Sequence, residues 1–97
     1  MARVLVAPQA RAGLERLIRT HSLPPDTKDR VKGSMQRLAR FPLLGTAIEQ
    51  GRWSGYRFAL GPWRWLIVLY KHDLESDTVM VASVEDGRSS AATASSR

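Results

Sequence analysis

The chain of 97 residues has the length of a single domain, and it contains no cysteine for a disulfide framework or a thiolate metal site. Its hydrophobic fraction of 43% and charged fraction of 25% are ordinary for a soluble globular domain and argue against general disorder. The longest apolar run, Trp65 to Tyr70, is far shorter than the roughly 20 residues that a membrane span needs. We therefore expect a soluble, cytoplasmic protein without a membrane-spanning segment.

The charge is unevenly distributed along the chain. Residues 1–64 carry twelve Lys and Arg against four Asp and Glu, a net charge of +8, whereas residues 65–97 carry three against five, a net charge of −2. A basic excess of this size favours polyanionic partners, either nucleic acid or an acidic protein.

The N-terminal half is predicted to form one strand and two helices. A short β-branched segment, Arg3 to Ala7, predicts the strand, and Pro8 suits the first turn of a helix. Apolar residues then recur on one face of each helix: Ala10, Leu14, Leu17 and Ile18 in the first, and Val31, Met35, Leu38 and Ala39 in the second. Pro24-Pro25 ends the first helix and Phe41-Pro42 ends the second. The short connection predicts a helical hairpin.

The C-terminal half is predicted to be an antiparallel meander. After a loop at residues 43–52, strand-like segments follow at residues 53–60, 63–70 and 78–84, with turns at Gly61-Pro62 and residues 72–77. The predicted fold is α+β, a two-helix hairpin packed on a small, mainly antiparallel sheet in the order β-α-α-β-β-β. It occupies residues 1–88 as a single domain. Residues 89–97 are small and of low complexity, which predicts a flexible C-terminal tail.

The turn at Gly61-Pro62 predicts an anion site. A two-residue loop pairs Leu60 with Trp63, which places Arg57 and Arg64 diagonally adjacent on one face of the sheet. Two arginines this close repel each other unless an anion lies between them. The opposite face then carries Phe58, Leu60, Trp63, Trp65 and Ile67. The alternative is that each arginine pairs with a nearby acid such as Glu85 or Asp86.

Further candidates lie around the same meander. Trp63, beside the turn, is the aromatic residue best placed to stack on a base, whereas Trp65 and Phe58 are predicted to belong to the core. Arg52 and Lys71 are additional candidates for substrate binding. The two histidines, His21 and His72, have no ligand spacing around them, so neither a metal site nor another cofactor is predicted. The segment from Glu85 to Arg88 offers an acid or base and a third arginine, or an ordinary strand end.

The order of these motifs over residues 3–88 resembles the RelE/ParE superfamily of bacterial toxins. The motifs are Ala10-x3-Leu14-x2-Leu17, Phe41-Pro42-x2-Gly45, Trp53-x3-Arg57, Gly61-Pro62-Trp63-Arg64 before an apolar strand ending in Tyr70, and Gly87-Arg88. The resemblance implies the toxin of a type II toxin–antitoxin pair, bound by an acidic, partly disordered antitoxin. It also implies a ribosome-dependent mRNA endonuclease that uses 2′-hydroxyl attack without a metal. Carried over, Arg57, Arg64 and Arg88 are the catalytic residues, and Glu49 or Glu85 is a possible general base.

The chain departs from the superfamily pattern at two places. Ala59 occupies a second basic position of the middle strand, and neither tyrosine nor histidine follows Arg88. Both departures are compatible with two alternatives to the endonuclease. One is a ParE-like toxin that acts on DNA gyrase through protein contacts and is not a nuclease. The other is a catalytically weakened relic of the fold.

Overall fold

The computed structural model of the protein describes residues 1–88, so the predicted tail at residues 89–97 lies outside the described part. Five strands and two helices follow one another along the chain: β1 (Arg3–Val6), α1 (Pro8–Thr20), α2 (Thr27–Arg40), β2 (Thr46–Ala47), β3 (Arg57–Leu60), β4 (Leu66–Asp73) and β5 (Thr78–Asp86). Neither helix is long and apolar enough to cross a membrane, judged over residues 1–88.

The strands form one sheet in the order β1-β5-β4-β3-β2. β1 runs parallel to β5, and every other neighbouring pair is antiparallel. The parallel pair arises because the two helices carry the chain away from β1 before the meander returns beside it. The predicted fold is therefore confirmed, with one addition: the segment predicted as a loop at residues 43–52 contains the short edge strand β2.

Both helices pack on one face of the sheet. Their apolar stripes meet the inward-facing residues of the central strands in a single core, formed by Ala10, Leu14, Val31, Met35, Leu38, Leu66, Val68, Tyr70, Val79, Val81 and Val84 with the N-terminal Ala2. Pro8 opens α1, as predicted. Gly13 allows α1 to approach β5 closely, because a Cβ atom at this position would lie 3.0 Å from the carbonyl oxygen of Val84.

The predicted two-residue turn is wrong. Leu60 pairs with Ile67, not with Trp63, so the connection between β3 and β4 is longer by four residues. Within it, Gly61 donates its N–H to the Leu66 carbonyl at 2.8 Å, and Leu66 donates to the Trp63 carbonyl at 3.1 Å. The wider turn lets Trp63 and Trp65 pack against the core, whereas the tighter pairing would have placed both rings on the open face of the sheet.

Strand boundaries also differ from the prediction: β4 runs from Leu66 to Asp73 and not over residues 63–70, and the start of β3 and the end of β5 are shifted. β3 begins at Arg57 and not at Trp53, because residues 51–55 form turns in which Gly51 and Gly55 adopt positive φ angles of 83° and 90°. β5 continues to Asp86, two residues beyond the predicted end, because Asp86 still pairs with Leu66 of β4. This extension brings the last residues of the described chain beside the β3–β4 turn.

Candidate functional site

The C-terminal end of α1 lies beside the end of β5. The helix ends at Thr20, with His21 as its C-cap, because Ser22 adopts a left-handed φ of 50° and two prolines follow. The His21 ring reaches Asp86, 65 residues further along the chain, and its Nε2 lies 3.0 Å from the carboxylate Oδ2. Tertiary structure therefore places a histidine beside the acidic end of β5.

Asp86 is the centre of this cluster. Its carboxylate accepts hydrogen bonds from the Arg88 backbone N–H at 2.8 Å and from Nε and Nη2 of Arg88, each at 3.0 Å, in addition to the bond to His21. The guanidinium bonds from Arg88 hold the pKa of the Asp86 carboxyl well below its usual range, with a smaller contribution from His21. Asp86 in turn raises the pKa of Arg88. The cluster therefore contains a carboxylate that remains ionised far into the acid range.

Stacked aromatic rings support the same cluster. The Trp65 ring is parallel to the His21 ring, with centroids 5.0 Å apart and an interplanar angle of 11°. Trp63 stacks on Trp65 at 5.7 Å and 7°, and the Arg88 guanidinium carbon lies 4.8 Å from the Trp65 centroid. Both tryptophans are half-buried against the core, so the base-stacking candidate Trp63 retains an accessible part.

Close backbone approach holds the strand ends together at this site. Gly87 donates its N–H to the Trp65 carbonyl. A Cβ atom at Gly87 would lie 2.6 Å from Cδ1 of Ile67 and 3.2 Å from the Trp65 carbonyl oxygen, so a larger residue would require the Ile67 side chain and the strand ends to shift. Glycine at this position therefore allows Arg88 to reach back over Trp65. We name the cluster of His21, Trp63, Trp65, Asp86 and Arg88 the α1–β5 site.

Arg64 and Arg57 do not form the predicted pair. Arg64 lies exposed in the β3–β4 turn, and it forms no ion pair with any residue of the described range. Arg57 lies at the other end of β3, opposite Tyr70, roughly 10 Å along the strand from Leu60. The predicted diagonal adjacency is wrong because it depended on the two-residue turn. The predicted pairing of these arginines with Glu85 or Asp86 is also not observed.

Arg57 instead helps to hold the loop after α2. Its Nη1 donates to the Gly45 carbonyl at 2.8 Å. The Tyr70 hydroxyl accepts from the Gly45 N–H at 2.8 Å and donates to the Pro42 carbonyl at 2.8 Å. Burial raises the pKa of Tyr70, and the Gly45 hydrogen bond opposes this effect only in part. Arg57 and Tyr70 thus fix the path of residues 42–45.

The remaining predicted site residues lie away from the α1–β5 site. Lys71 and Arg52 stack on the rings of Tyr56 and Trp53, at 5.5 and 5.3 Å respectively, near the Arg57 end of the sheet. Glu49 is exposed in the loop before these residues. Glu85 pairs with Ile67 on the open face of the sheet, where Ser83 donates to its carboxylate at 3.0 Å. Of the predicted candidates, Arg88 and Trp63 belong to the α1–β5 site, Arg64 and Glu85 are sequence neighbours of its members, and the roles of all of them stay predictions.

Metal ligands are not grouped in the described part of the chain. No cluster of three or more His, Asp or Glu side chains that could hold a metal ion occurs within residues 1–88.

Comparison with solved structures gives a clear match to this architecture. The chain superimposes on a chain of the toxin–antitoxin complex RelBE2 from Mycobacterium tuberculosis with a TM-score of 0.67 and 25% sequence identity, covering 88% of this chain and 96% of that chain. Its fold is that of a RelE-type toxin. The superfamily predicted from the motifs is confirmed, and the match supports a RelE-type toxin. No protein-family model matches the chain, and no curated protein matches its sequence.

Sequence reasoning missed His21, the member of the site that comes from the end of α1 in this RelE-type chain. No ligand spacing surrounds His21 in the sequence, and its partner Asp86 lies 65 residues away. The only local signal was its position at the end of α1, before Pro24-Pro25, where a side chain can project past the edge of the helix. Trp65 is predicted as a core residue, and its ring also stacks on the His21 ring and contacts the Arg88 guanidinium.

Proposed function

We propose that the chain is the toxin component of a toxin–antitoxin pair and that it cleaves mRNA at the ribosome. The toxin assignment is supported by the likeness to the RelBE2 complex over most of both chains. The endonuclease assignment is carried by the α1–β5 site, where a guanidinium, an imidazole and exposed tryptophan surface converge on one end of the sheet.

Arg88 is the proposed phosphate-binding group. It uses two of its five N–H donors on Asp86, and its side chain is 61% exposed, so three donors remain for a phosphate oxygen. Arg64, exposed in the adjacent turn, adds a second positive charge without an acidic partner in the described range. Donors aimed at a phosphorane-like transition state stabilise the negative charge that develops there.

Trp63 is the proposed base-stacking group. Its ring is held parallel to Trp65, which in turn is held by Arg88 and His21, so its orientation is fixed before RNA arrives. Base–aromatic stacking contributes about 1–3 kcal/mol per base and tolerates any base. A rigid ring beside a guanidinium suits single-stranded RNA.

Purified ribosomes programmed with a defined mRNA test this function. We expect the wild-type protein to cut the message and Arg88→Gln to lower the cleavage rate by roughly 10²–10³-fold, the usual cost of one lost oxyanion donor. Trp63→Ala should raise the concentration needed for half-maximal rate. Arg3→Gln removes one exposed charge from β1 and is the matched control. Intact message at a stoichiometric amount of wild-type protein would exclude the endonuclease.

A non-nuclease toxin is the second candidate, and one observation favours it. Strand β3 offers no free basic side chain, because Arg57 is bonded to the Gly45 carbonyl and Ala59 packs against the core. A ParE-like toxin that acts on DNA gyrase through protein contacts needs no such group. Supercoiling by gyrase in the presence of the protein tests this candidate, and unchanged supercoiling activity counts against it.

An acidic antitoxin is the proposed partner. The solved neighbour is itself a toxin–antitoxin complex, and the chain carries a net charge of +6. We expect a short adjacent gene that encodes a DNA-binding segment followed by an acidic tail. Co-expression of its product should relieve growth arrest, and the two proteins should co-purify.

A further inference from the structure

We infer that His21, held by Asp86, is the proton donor of the α1–β5 site, an inference that rests on the proposed cleavage of RNA. The sequence offers Glu49 or Glu85 as a general base but no proton donor near the C-terminus, since neither histidine nor tyrosine follows Arg88. The fold brings a histidine to Arg88 from the other end of the chain. Both side chains contact the same Asp86 carboxylate oxygen, Oδ2, at 3.0 Å.

Three contacts fix the orientation of the His21 ring. Trp65 sets the plane of the ring by stacking, Asp86 engages Nε2, and the Thr20 hydroxyl oxygen lies 2.9 Å from Nδ1. A histidine that acts in proton transfer needs one nitrogen held by an orienting group and the other directed to the reacting atom. Here Asp86 is the orienting group, and Nδ1 is the nitrogen left for a ligand.

Hydrogen-bond accounting assigns a proton to Nδ1. The single hydroxyl hydrogen of Thr20 is donated to the Arg16 carbonyl at 2.9 Å, so the Thr20 oxygen can only accept from Nδ1. Nε2 must also carry a hydrogen, because the ionised Asp86 carboxylate is an acceptor only. All three bonds form together when the ring is an imidazolium, which is the form that can donate a proton.

The site is open on the side of Nδ1. Thr20 is an exposed residue at the end of α1, and 28% of the His21 side chain is accessible. An incoming oxygen can therefore replace the Thr20 hydroxyl without disturbing the core. Asp86 bonds directly to the ring, and Arg88 bonds to the same carboxylate. Trp65 contributes an uncharged face and Arg16 only its carbonyl oxygen.

The proton transfer completes a balanced reaction. The 2′-oxygen forms a bond to phosphorus as the bond between phosphorus and the 5′-oxygen breaks, and the 2′-hydroxyl proton leaves to a solvent base. The departing 5′-oxygen takes its proton from Nδ1 of His21. The products are a 2′,3′-cyclic phosphate and a 5′-hydroxyl, and the neutral ring regains its proton from water.

Single-turnover cleavage on programmed ribosomes tests the donor. His21→Gln should lower the rate by roughly 10²–10⁴-fold, the usual contribution of general acid–base catalysis, with little change in RNA affinity. It should also abolish the fall in rate at alkaline pH that an acid catalyst produces as it loses its proton. Asp86→Asn should give a smaller loss of rate, because it weakens the orientation of the ring without removing the imidazole. Exogenous imidazole should partly restore the cleavage rate of the His21→Ala variant.

A second histidine–aspartate pair provides the matched control. His72 and Asp77 lie 2.9 Å apart at the far end of β4, and Asp77 is 58% exposed. Asp77→Asn removes the same type of bond and should leave the rate and the pH profile unchanged. Wild-type rate and pH profile in His21→Gln would overturn the inference.

A binding measurement separates the inference from the proposed function. A 2′-O-methyl RNA dinucleotide cannot be cleaved, and titration with it should shift the ring signals of His21, but not those of His72, in NMR spectra. Absence of a His21 shift would overturn the inference even if the wild-type protein cleaves mRNA. A wild-type protein that shifts at His21 but cuts no message would refute the proposed function and the proton transfer, and would retain His21 as a phosphodiester contact.

Discussion

Asp86 accepts four hydrogen bonds from two residues, so its protonation is coupled to folding. The folded-state pKa of this carboxyl is lowered, chiefly by the Arg88 guanidinium, below the value near 3.9 of an unfolded chain. A lowered pKa contributes stability that is present above the unfolded value and is lost as the pH falls through the folded value. The stability conferred by Asp86 should therefore be complete at pH 5–7 and decline below about pH 4.

Asp86→Asn tests this linkage. We expect the variant to lose on the order of 1 kcal/mol of unfolding free energy at pH 6, because a neutral amide replaces a charge-assisted acceptor. Urea denaturation of both proteins from pH 6 to pH 2 measures the difference, which should shrink as acid is added. A difference that stays constant across this range would show that Asp86 is not linked to folding.

Tyr70 is a buried core residue whose hydrogen bonds also contribute to stability. Its hydroxyl connects β4 to the loop after α2 through Gly45 and Pro42, and its ring is fully buried. Tyr70→Phe leaves both backbone groups without this partner, which should lower the free energy of unfolding by about 1–3 kcal/mol. Urea denaturation at pH 7 measures the loss. Tyr56→Phe, in a half-buried ring with no hydroxyl bond in the described range, is the control and should change little.

Residue roles were the least predictable feature of this chain. Arg57 matched a catalytic position by motif, but its guanidinium supports the loop at Gly45, which only the path of the chain after α2 reveals. The Gly87-Arg88 motif identified Arg88 as a site candidate. Its ion pair with Asp86 is local, because the two residues are separated only by Gly87. His21 had no signal in its own segment, because its partners come from β5 and from the β3–β4 turn.

At the scale of elements, two helical glycines differ in what surrounds them. A Cβ atom at Gly13 of α1 would lie 3.0 Å from the Val84 carbonyl oxygen, whereas a Cβ atom at Gly33 of α2 would meet nothing within 4 Å. Alanine is favoured over glycine in a helix by roughly 1 kcal/mol when no contact opposes it. Gly33→Ala should therefore stabilise the protein by about 0.5–1 kcal/mol.

Gly13→Ala should not give this gain. The added methyl group forces α1 away from β5, and the displacement carries His21 away from Asp86. Urea denaturation compares the two variants, and the NMR signals of the His21 ring report the shift of the helix end. Equal stabilisation by both substitutions would show that α1 can move outward at no cost.

Elements with strong periodicity were predicted well, and connections were not. The apolar spacing of α1 and α2, together with Pro8 and Phe41-Pro42, located both helices. The β3–β4 turn was predicted four residues too tight, because Gly61-Pro62 is a strong local turn signal. Burial of Trp63 and Trp65 overrides that signal, and burial depends on where α1 ends, which no window around the turn contains.

At the scale of the whole molecule, most of the positive charge lies on the helices, and the α1–β5 site lies at one end of the sheet. Two ion pairs neutralise part of the helical charge, Lys28 with Glu15 at 3.5 Å and Arg30 with Asp26 at 2.9 Å. Lys32 and Arg37 are exposed on α2 and form no ion pair in the described range. They are free to contact a polyanion that extends beyond the site.

Removal of these two charges should weaken RNA binding without affecting chemistry. Each phosphate contact releases counterions, so the logarithm of the association constant falls linearly with the logarithm of salt concentration, by about 0.7 per contact for a single strand. The Lys32→Gln/Arg37→Gln variant should reduce the slope by up to about 1.4 and leave the single-turnover cleavage rate at saturating RNA unchanged. Fluorescence anisotropy with labelled RNA measures this slope between about 50 and 300 mM salt.

A control variant with the same net charge distinguishes direct contact between RNA and α2 from attraction to the overall positive charge of the protein. Arg3→Gln/Arg11→Gln also removes two exposed positive charges, but from β1 and the start of α1. Attraction to the net charge of the whole molecule would make the two variants equivalent, whereas screening over about 10 Å at 0.1 M salt confines the effect of each charge to its own neighbourhood. A larger change in slope for the α2 variant would mean that RNA runs along α2 on its way to the α1–β5 site. Equal changes would confine specific contact to the site itself.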